Sequence, residues 1–181
     1  MVTHQIRTFG DPVLRRATAE VTGVDGAFVT LVDAMLATMY EAPGVGLAAN
    51  QVGIQQRFFV YDVGEGPGVL VNPEVVDTTG EWAYEEGCLS LPGLTYDTRR
   101  AMRVVATGMN MHGEPVTIEG SELLARCVQH ETDHLDGILF IDRLDTAARK
   151  VAMMEIRESE WFGAPAPVVR FSPHSLRPGL G

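Results

Sequence analysis

Cysteine and long apolar runs are both scarce in this chain of 181 residues. No apolar run approaches the roughly 18 residues of a membrane helix, and residues 1–16 lack the apolar core of a secretory signal. We therefore expect a cytoplasmic location and no membrane partner. Cys88 and Cys127, the two cysteines, could pair in principle. In a reducing cytoplasm, however, free thiols or metal ligands are the better interpretation.

Positive charge is also in deficit. The chain has 14 Lys and Arg residues and 24 Asp and Glu residues, so its net charge is −10 and its isoelectric point is about 4.9. Binding to DNA requires clustered Lys and Arg, so nucleic acid is not expected to be the main ligand. The length suffices for one domain with a sizeable core, and 45% apolar with 21% charged residues is ordinary for a globular protein.

Hydrophobic periodicity predicts helices and strands that do not alternate as βαβ units, which favours a single α+β domain. Antiparallel or mixed sheets are expected to pack around a central helix. Helices are predicted from Asp11-Pro12, over 26–41 and over 146–161, and the apolar stripe of the second is assigned to core packing. Strands are predicted at 57–63, 69–72, 74–78, 81–85, 102–107 and 115–118, with a strand-like piece at 138–141.

The strongest chemical signal is a His-Glu-Thr-Asp-His run. His130 and His134 are four residues apart, so on a helix both project from one face and can bind one metal ion. Glu131 follows His130 by about 100° around the helix, so it can approach a metal-bound water without being a ligand. This arrangement is typical of metal-dependent hydrolases. Ser121 is predicted to be the N-cap of this helix and Gly137 its C′ residue.

A catalytic metal site usually has three protein ligands and one open position, so a third ligand is required. The direction of Cys127 on the helix differs from that of His134 by only about 20°, but Cys127 lies one turn early and continues an apolar pattern. A buried core cysteine is therefore its better interpretation. Cys88 follows Gly87, where backbone can approach another element closely. On these grounds alone its ligation stays open.

Three segments in this order resemble the motifs of the peptide deformylase family. They are Gly-Val-Gly-Leu-Ala-Ala-Asn-Gln at 44–51, Glu-Gly-Cys-Leu-Ser at 86–90 and Gln-His-Glu-Thr-Asp-His-Leu-Asp-Gly at 129–137. The resemblance covers roughly residues 4–160. It implies that Cys88, His130 and His134 bind one metal ion per chain.

The family reaction removes the formyl group from the N-terminal formyl-methionine of newly made polypeptides and releases formate. The resemblance implies that a metal-bound water is the nucleophile and that Glu131 is the general acid/base. It also implies that the side-chain amide of Gln51 and the backbone N–H of Leu89 stabilise the oxyanion. Without the resemblance, Gln51 would be interpreted as an ordinary surface residue.

The methionine side chain of such a substrate requires a deep apolar pocket. The candidate substrate-binding residues are Val45, Gly46, Leu89 and Cys127, and ordinary core packing is the alternative for the apolar ones. Asp133 could orient a ligand, but a structural salt bridge is its better interpretation.

One stretch departs from the family pattern. After Leu91-Pro92, many relatives carry an arginine that helps to hold the peptide, whereas the first arginines here are Arg99 and Arg100. The means by which the downstream peptide is held is therefore left open, while the three motifs that carry the chemistry are intact.

Thiolate and imidazole ligands suit both Zn²⁺ and Fe²⁺. The resemblance implies Fe²⁺ in the cell, with Zn²⁺, Ni²⁺ or Co²⁺ able to occupy the site, and an oxygen-sensitive Cys88. The expected partners are nascent N-formylmethionyl peptides, and the chain is expected to act as a monomer. Two rival functions use the same helix: a zinc endopeptidase, which would not need Cys88, and a non-catalytic metal-binding module, which would need neither Glu131 nor Gln51.

Residues 1–162 are expected to form the catalytic domain, and residues 163–181, with four prolines, a disordered tail. The tail contains Arg170 and Arg177 and no acidic residue. This composition raises the hypothesis of a transient contact with the ribosome. A solvated tail without a partner is the simpler alternative.

Overall fold

A long central strand organises the main sheet of the computed structural model, which describes residues 3–164. The sheet is antiparallel and five-stranded, in the order β1-β2-β3-β6-β7, and two further strands, β4 and β5, form a separate antiparallel pair. The confirmed class is therefore α+β. The strands are β1 (Gly46–Ala48), β2 (Phe58–Tyr61), β3 (Gly68–Thr79), β4 (Trp82–Cys88), β5 (Leu91–Arg100), β6 (Arg103–Met109) and β7 (Pro115–Ser121).

Three α-helices and three short 3₁₀ helices complete the described chain. Aspartate N-caps begin two of the α-helices: Asp25 accepts a hydrogen bond from the Phe28 N–H, and Asp145 from the Ala148 N–H. None of these helices has the length and hydrophobicity of a membrane span. The helices are α1 (Gly26–Glu41), α2 (Glu122–Leu135), α3 (Thr146–Glu158) and the 3₁₀ helices Pro12–Arg15, Ala49–Val52 and Phe140–Asp142.

The core has three apolar clusters that place α2 at the centre of the domain. Along β2 the side chains alternate: Phe58 and Val60 join the cluster beneath α1, whereas Phe59 joins the cluster beneath α2. A third cluster joins the β4–β5 pair to α3 and includes Cys88 and Ile156. Because α2 contacts β1, β2, β6 and β7, the predicted central position of the motif helix is confirmed.

Several predicted bounds differ from the structure. The two strands predicted at 69–72 and 74–78 are one strand, β3, whose pairing with β6 shifts in register between Val71 and Glu74. The strand-like interpretation of 138–141 is wrong, because the segment leads into a 3₁₀ helix at Phe140, and Asp142 accepts a hydrogen bond from the Leu139 N–H. Strand β5 was not predicted. Helix α3 ends at Glu158, three residues earlier than expected.

The predicted tail begins at Gly163, and residues 165–181 lie outside the described part of the chain. The boundary at 162/163 and the disorder of the tail therefore remain predictions.

Candidate metal centre and active site

The end of β4 and one face of α2 bring three donor side chains together. One ligand atom each from Cys88, His130 and His134 lies within 4.8 Å of the other two, and all three residues are buried. The Cys88 Sγ is 3.1 Å from the His134 Nε2. One thiolate and two imidazoles within this distance fit a tetrahedral transition-metal ion, and three donors leave a fourth position for water or substrate.

The second cysteine lies outside this group. The Cys127 thiol donates a hydrogen bond to the Val45 carbonyl at 3.5 Å, and burial raises the pKa of this thiol well above its usual range. A neutral, buried thiol is a poor metal ligand. The geometry therefore places Cys88, and not Cys127, with the two histidines, as the resemblance implied.

The buried Glu86–Arg100 ion pair contacts His130 on the side of the ring that carries Nδ1. The His130 Nδ1 lies 2.6 Å from Glu86 Oε1, which leaves Nε2 as the ring nitrogen for the metal side. Glu86 is also held by Arg100, with Nε–Oε2 at 3.0 Å and Nη2–Oε1 at 2.6 Å. A carboxylate in this position orients the ring and raises its basicity as a ligand. Glu86 was not predicted to be a site residue, although strand alternation places it on the same face as Cys88.

The pKa values of these groups follow from burial and charge. Burial alone would raise the pKa of Glu86, but its hydrogen bonds with His130 and Arg100 outweigh burial and hold it well below its usual range. Burial, reinforced by the positive charges of His130 and Arg100, holds the pKa of His134 well below its usual range. His134 is thereby kept in the neutral form that metal ligation requires.

For His130 the balance has the opposite sign. Burial would lower its pKa, but hydrogen bonds and charge interactions with Cys88 and Glu86 hold it well above its usual range. A metal ion competes with a proton for such a nitrogen, so binding of the ion by His130 would release that proton.

Glu131 lies beside the donor group, with 3% of its surface exposed. Burial raises its pKa to about 7; the charge of Glu86 adds to this effect, while His130 and a hydrogen bond from the Ala48 backbone oppose it. Its Oε2 has no hydrogen-bond partner in residues 3–164. A carboxyl group with a pKa near neutrality and a free oxygen can accept and return a proton at physiological pH.

The first motif forms β1 followed by the 3₁₀ helix Ala49–Val52. This turn fixes the amide of Gln51: its Oε1 accepts a hydrogen bond from the Ala48 N–H at 2.8 Å, and its Nε2 donates to Ser90 Oγ at 3.1 Å. The Nε2 also lies 3.7 Å from Cys88 Sγ. The N–H groups of the Gln51 side chain therefore point towards the three metal-binding side chains.

The four candidate substrate-binding residues lie around Glu131 and the motif segments. A Cβ added to Gly46 would come within 2.8 Å of Cys127 Sγ and still closer to Glu131 Oε1, and Cys127 contacts the Val45 carbonyl. Leu89, next to Cys88, is buried, and its side chain packs against Gly44. These contacts join the first motif to Leu89 and to Cys127, and they are equally those of core residues.

The two arginines that follow the second motif, Arg99 and Arg100, lie away from Cys88 along the β4–β5 pair. β4 and β5 pair Cys88 with Leu91 but Trp82 with Arg100, so both arginines lie at the end of the pair remote from Cys88. Arg99 is exposed and pairs with Glu81 at 3.1 Å. Arg100 is buried against Glu86, a contact that no local pattern in the sequence predicts.

Comparison with known proteins agrees with this geometry. A sequence profile described as "Polypeptide deformylase" matches residues 3–150. A peptide deformylase from Acidothermus cellulolyticus is 55% identical over 177 residues, covering 98% of each chain. The crystal structure of a peptide deformylase from Legionella pneumophila superposes with a TM-score of 0.84 at 38% identity, covering 92% of this chain and 100% of that one.

A second solved structure, a peptide deformylase from Ehrlichia chaffeensis in complex with actinonin, has the same TM-score of 0.84. It is 35% identical and covers 88% of this chain and 99% of its own. A profile match over most of the chain, together with a relative of this identity over nearly its whole length, establishes that the chain belongs to the polypeptide deformylase family.

Proposed function

We propose that this chain hydrolyses the N-formyl group of newly made N-formylmethionyl peptides, releasing formate, at the centre formed by Cys88, His130 and His134. One observation carries the assignment. Three donor side chains lie together, the oriented Gln51 amide is 3.7 Å from one of them, and the buried carboxyl group of Glu131, with a pKa of about 7, is next to His130 in the chain. A purely structural metal site requires neither the carboxyl group nor the amide.

One metal ion per chain fits the three donors. When bound, a divalent ion supplies the Lewis acidity that activates water and polarises a formyl carbonyl. We propose Fe²⁺ as the native ion, with Zn²⁺, Ni²⁺ or Co²⁺ as substitutes, because thiolate and imidazole ligands accept all of them. Anaerobic purification followed by metal analysis and turnover measurements tests this assignment. Undiminished turnover with Zn²⁺ alone would contradict it.

Glu131 is assigned the proton transfers. Its carboxylate takes a proton from the attacking water, and the resulting acid gives the proton to the leaving amine as the C–N bond breaks. Burial supports both halves of this cycle, since the raised pKa allows Glu131 to hold the proton between the two transfers.

The Gln51 Nε2 and the Leu89 backbone N–H are assigned to the oxyanion of the tetrahedral intermediate. Ala48 and Ser90 already hold the Gln51 amide in one orientation, so little reorganisation is needed during the reaction. Each donor of this kind contributes about 2.7–4 kcal/mol to lowering the barrier. Val45, Gly46, Leu89 and Cys127 are assigned to the methionine pocket, because Gly46 lies against Glu131 and Cys127, Cys127 contacts Val45, and Leu89 follows Cys88.

A nascent peptide is made in the cytoplasm, so we place the chain there, as a monomer that contacts the ribosome transiently. The zinc endopeptidase alternative is less well supported, because that activity gives no reason for Cys88 and Gln51 to lie at the two histidines.

Formate release from a formyl-Met-Ala-Ser peptide, measured with anaerobically purified protein, tests the proposed function. The native chain is expected to release formate, whereas Glu131→Ala and Cys88→Ala are expected to lose the activity. Glu158→Ala, at an exposed carboxyl group on the last turn of α3, is the matched control and should retain it. If fully metal-loaded native protein releases no formate, the non-catalytic alternative becomes the better one.

A further inference from the structure

The ion pair behind His130 continues beyond Arg100. The third nitrogen of the guanidinium, Nη1, donates to Asp133 Oδ2 at 2.6 Å, so Arg100 bridges Asp133 and Glu86. The Arg100 side chain is 4% exposed, and those of Glu86 and Asp133 are 0% and 10% exposed. Three charged groups, Glu86, Arg100 and Asp133, are thus buried in a continuous series of contacts that begins at His130.

These side chains form a row of charged groups: His130, Glu86, Arg100, Asp133 and Arg143. The row ends at Arg143, immediately after the 3₁₀ helix Phe140–Asp142. Its Nη2 donates to Asp133 Oδ1 at 2.6 Å and its Nε to Oδ2 at 3.1 Å, which is the two-pronged geometry that binds a carboxylate most firmly. The Arg143 side chain is 47% exposed. It lines a cavity of about 480 Å³ together with Asp133, Arg100 and Thr132. The row therefore runs from solvent to the back of a metal-binding histidine, with charges that alternate in sign.

We propose that Arg143 is a positioning residue for the metal centre and acts on His130 through Asp133, Arg100 and Glu86. This inference rests on the assignment of His130 as a metal ligand. Asp133 accepts hydrogen bonds from both arginines, so without Arg143 its buried charge depends on Arg100 alone. Arg100 is then drawn towards Asp133 and away from Glu86, and Glu86 holds the His130 ring less firmly.

The size of the effect follows from distance along the row. Loss of a group that directly orients a metal-binding histidine lowers metal affinity by about 10–100-fold. Arg143 is four contacts from His130, so a loss of roughly 3–10-fold is expected. An effect of charge alone would have the opposite sign, because removing a positive charge favours a bound cation.

The experiment measures Zn²⁺ affinity by competition with a chromophoric chelator, using metal-free folded protein. Arg143→Gln is expected to bind Zn²⁺ about 3–10-fold more weakly than the native chain. Arg143→Lys keeps the charge but lacks the planar two-pronged group, so it is also expected to bind more weakly, though by less. An affinity of Arg143→Gln that equals or exceeds the native value would overturn the proposal.

Two further variants separate positioning from general stability. Arg149→Gln removes a similar ion pair, with Asp142 at 3.0 Å and a 51% exposed arginine side chain, and should leave Zn²⁺ affinity unchanged. In a Glu86→Gln background the link to His130 is cut, so adding Arg143→Gln should cause no further loss. If the losses in this double variant simply add, Arg143 does not act through Glu86.

A failure of this proposal can be told apart from a failure of the proposed function, because the readout is metal binding and not formate release. Native protein that releases formate while Arg143→Gln keeps native Zn²⁺ affinity would overturn the positioning role and leave the enzymatic assignment intact.

Discussion

Glu131 lies next to His130 on α2, within the candidate site. Its carboxyl group is buried, and its pKa is raised from 4.5 to about 7, mainly by burial. In the unfolded chain the group loses its proton near pH 4.5, whereas in the folded, metal-free protein it keeps the proton until about pH 7. Above about pH 4.5, the stability of the folded state relative to the unfolded state therefore decreases.

The pH dependence of unfolding should show this penalty. The contribution of Glu131 to the free energy of unfolding of the metal-free chain should fall by about 3 kcal/mol as the pH rises from about 4.5 to about 7. Glu131→Gln lacks the titration, so its stability relative to the native chain should increase over this interval. Urea unfolding of both proteins between pH 4.5 and 8 measures the difference. Parallel curves would show that the carboxyl group is not buried as described.

Gly46 controls where this carboxyl group can lie. A Cβ at this position would be 2.8 Å from Cys127 Sγ and closer still to Glu131 Oε1. Gly46→Ala should displace Glu131, lower kcat/KM for a formylated peptide by about 100-fold and lower the free energy of unfolding by about 1–3 kcal/mol. Gly23→Ala is the matched control, because a Cβ there meets no atom within 4 Å. Equal effects of the two substitutions would refute the steric argument.

The predictable part of the site is the part encoded by local spacing. His130, Glu131 and His134 were assigned from helical geometry alone, because all three lie on one short helix. Cys88 required the resemblance, since a single cysteine beside a glycine has several interpretations. Arg100 could not be predicted, because its contact with Glu86 depends on the register of β4 with β5 and on the position of α2. Asp133 proved to be a salt-bridge residue, as expected.

At the scale of elements, the C-terminus of α2 matters because the helix ends at Leu135, one residue after the buried His134. Gly137 ends it with φ of 74°, while the Gly137 N–H bonds to the His134 carbonyl and the Ile138 N–H to the Asp133 carbonyl. These two bonds are those of a Schellman motif. The position is also crowded, because a Cβ there would lie 2.8 Å from the Arg15 backbone.

Gly137→Ala should therefore be destabilising for two reasons. The left-handed conformation costs about 1–2 kcal/mol for a residue with a Cβ, and displacing the Arg15 backbone adds a further penalty of about 1–3 kcal/mol. Gly93→Ala isolates the first term, because its φ is 81° and a Cβ there meets nothing within 4 Å. Chemical denaturation of both variants should give the larger loss for Gly137→Ala. If the two losses are equal, the contact with Arg15 contributes nothing.

Elements differed in how well the sequence predicted them, for physical reasons. Helix α1 was predicted with its observed bounds, because its apolar residues recur at helical spacing on one buried face. Strand β5 was missed because two of its inward positions are polar, Thr98 and Arg100, so no alternating apolar pattern exists. The apolar run at 138–141 was assigned to a strand because a short buried run has no periodicity that distinguishes strand from helix.

At the scale of the whole molecule, the metal centre joins parts that are otherwise held by separate cores. Cys88 belongs to the cluster that packs the β4–β5 pair against α3, whereas α2 packs mainly on the five-stranded sheet. An ion held by Cys88 and by the two histidines of α2 would tie these two units together. Because an unfolded chain does not preserve this arrangement, metal binding should stabilise the folded state.

Thermal unfolding with and without Zn²⁺ tests this coupling. At a free Zn²⁺ concentration 100 times Kd, the folded state gains about 2.7 kcal/mol, which for a domain of this size raises Tm by roughly 5–10 °C. Cys88→Ala should lose most of this increase, because one of three donors is absent. Cys127→Ala should lower Tm by leaving a small cavity in the core, yet keep the increase, because its thiol lies outside the donor group. If Cys127→Ala loses the response and Cys88→Ala keeps it, the third ligand has been assigned to the wrong cysteine.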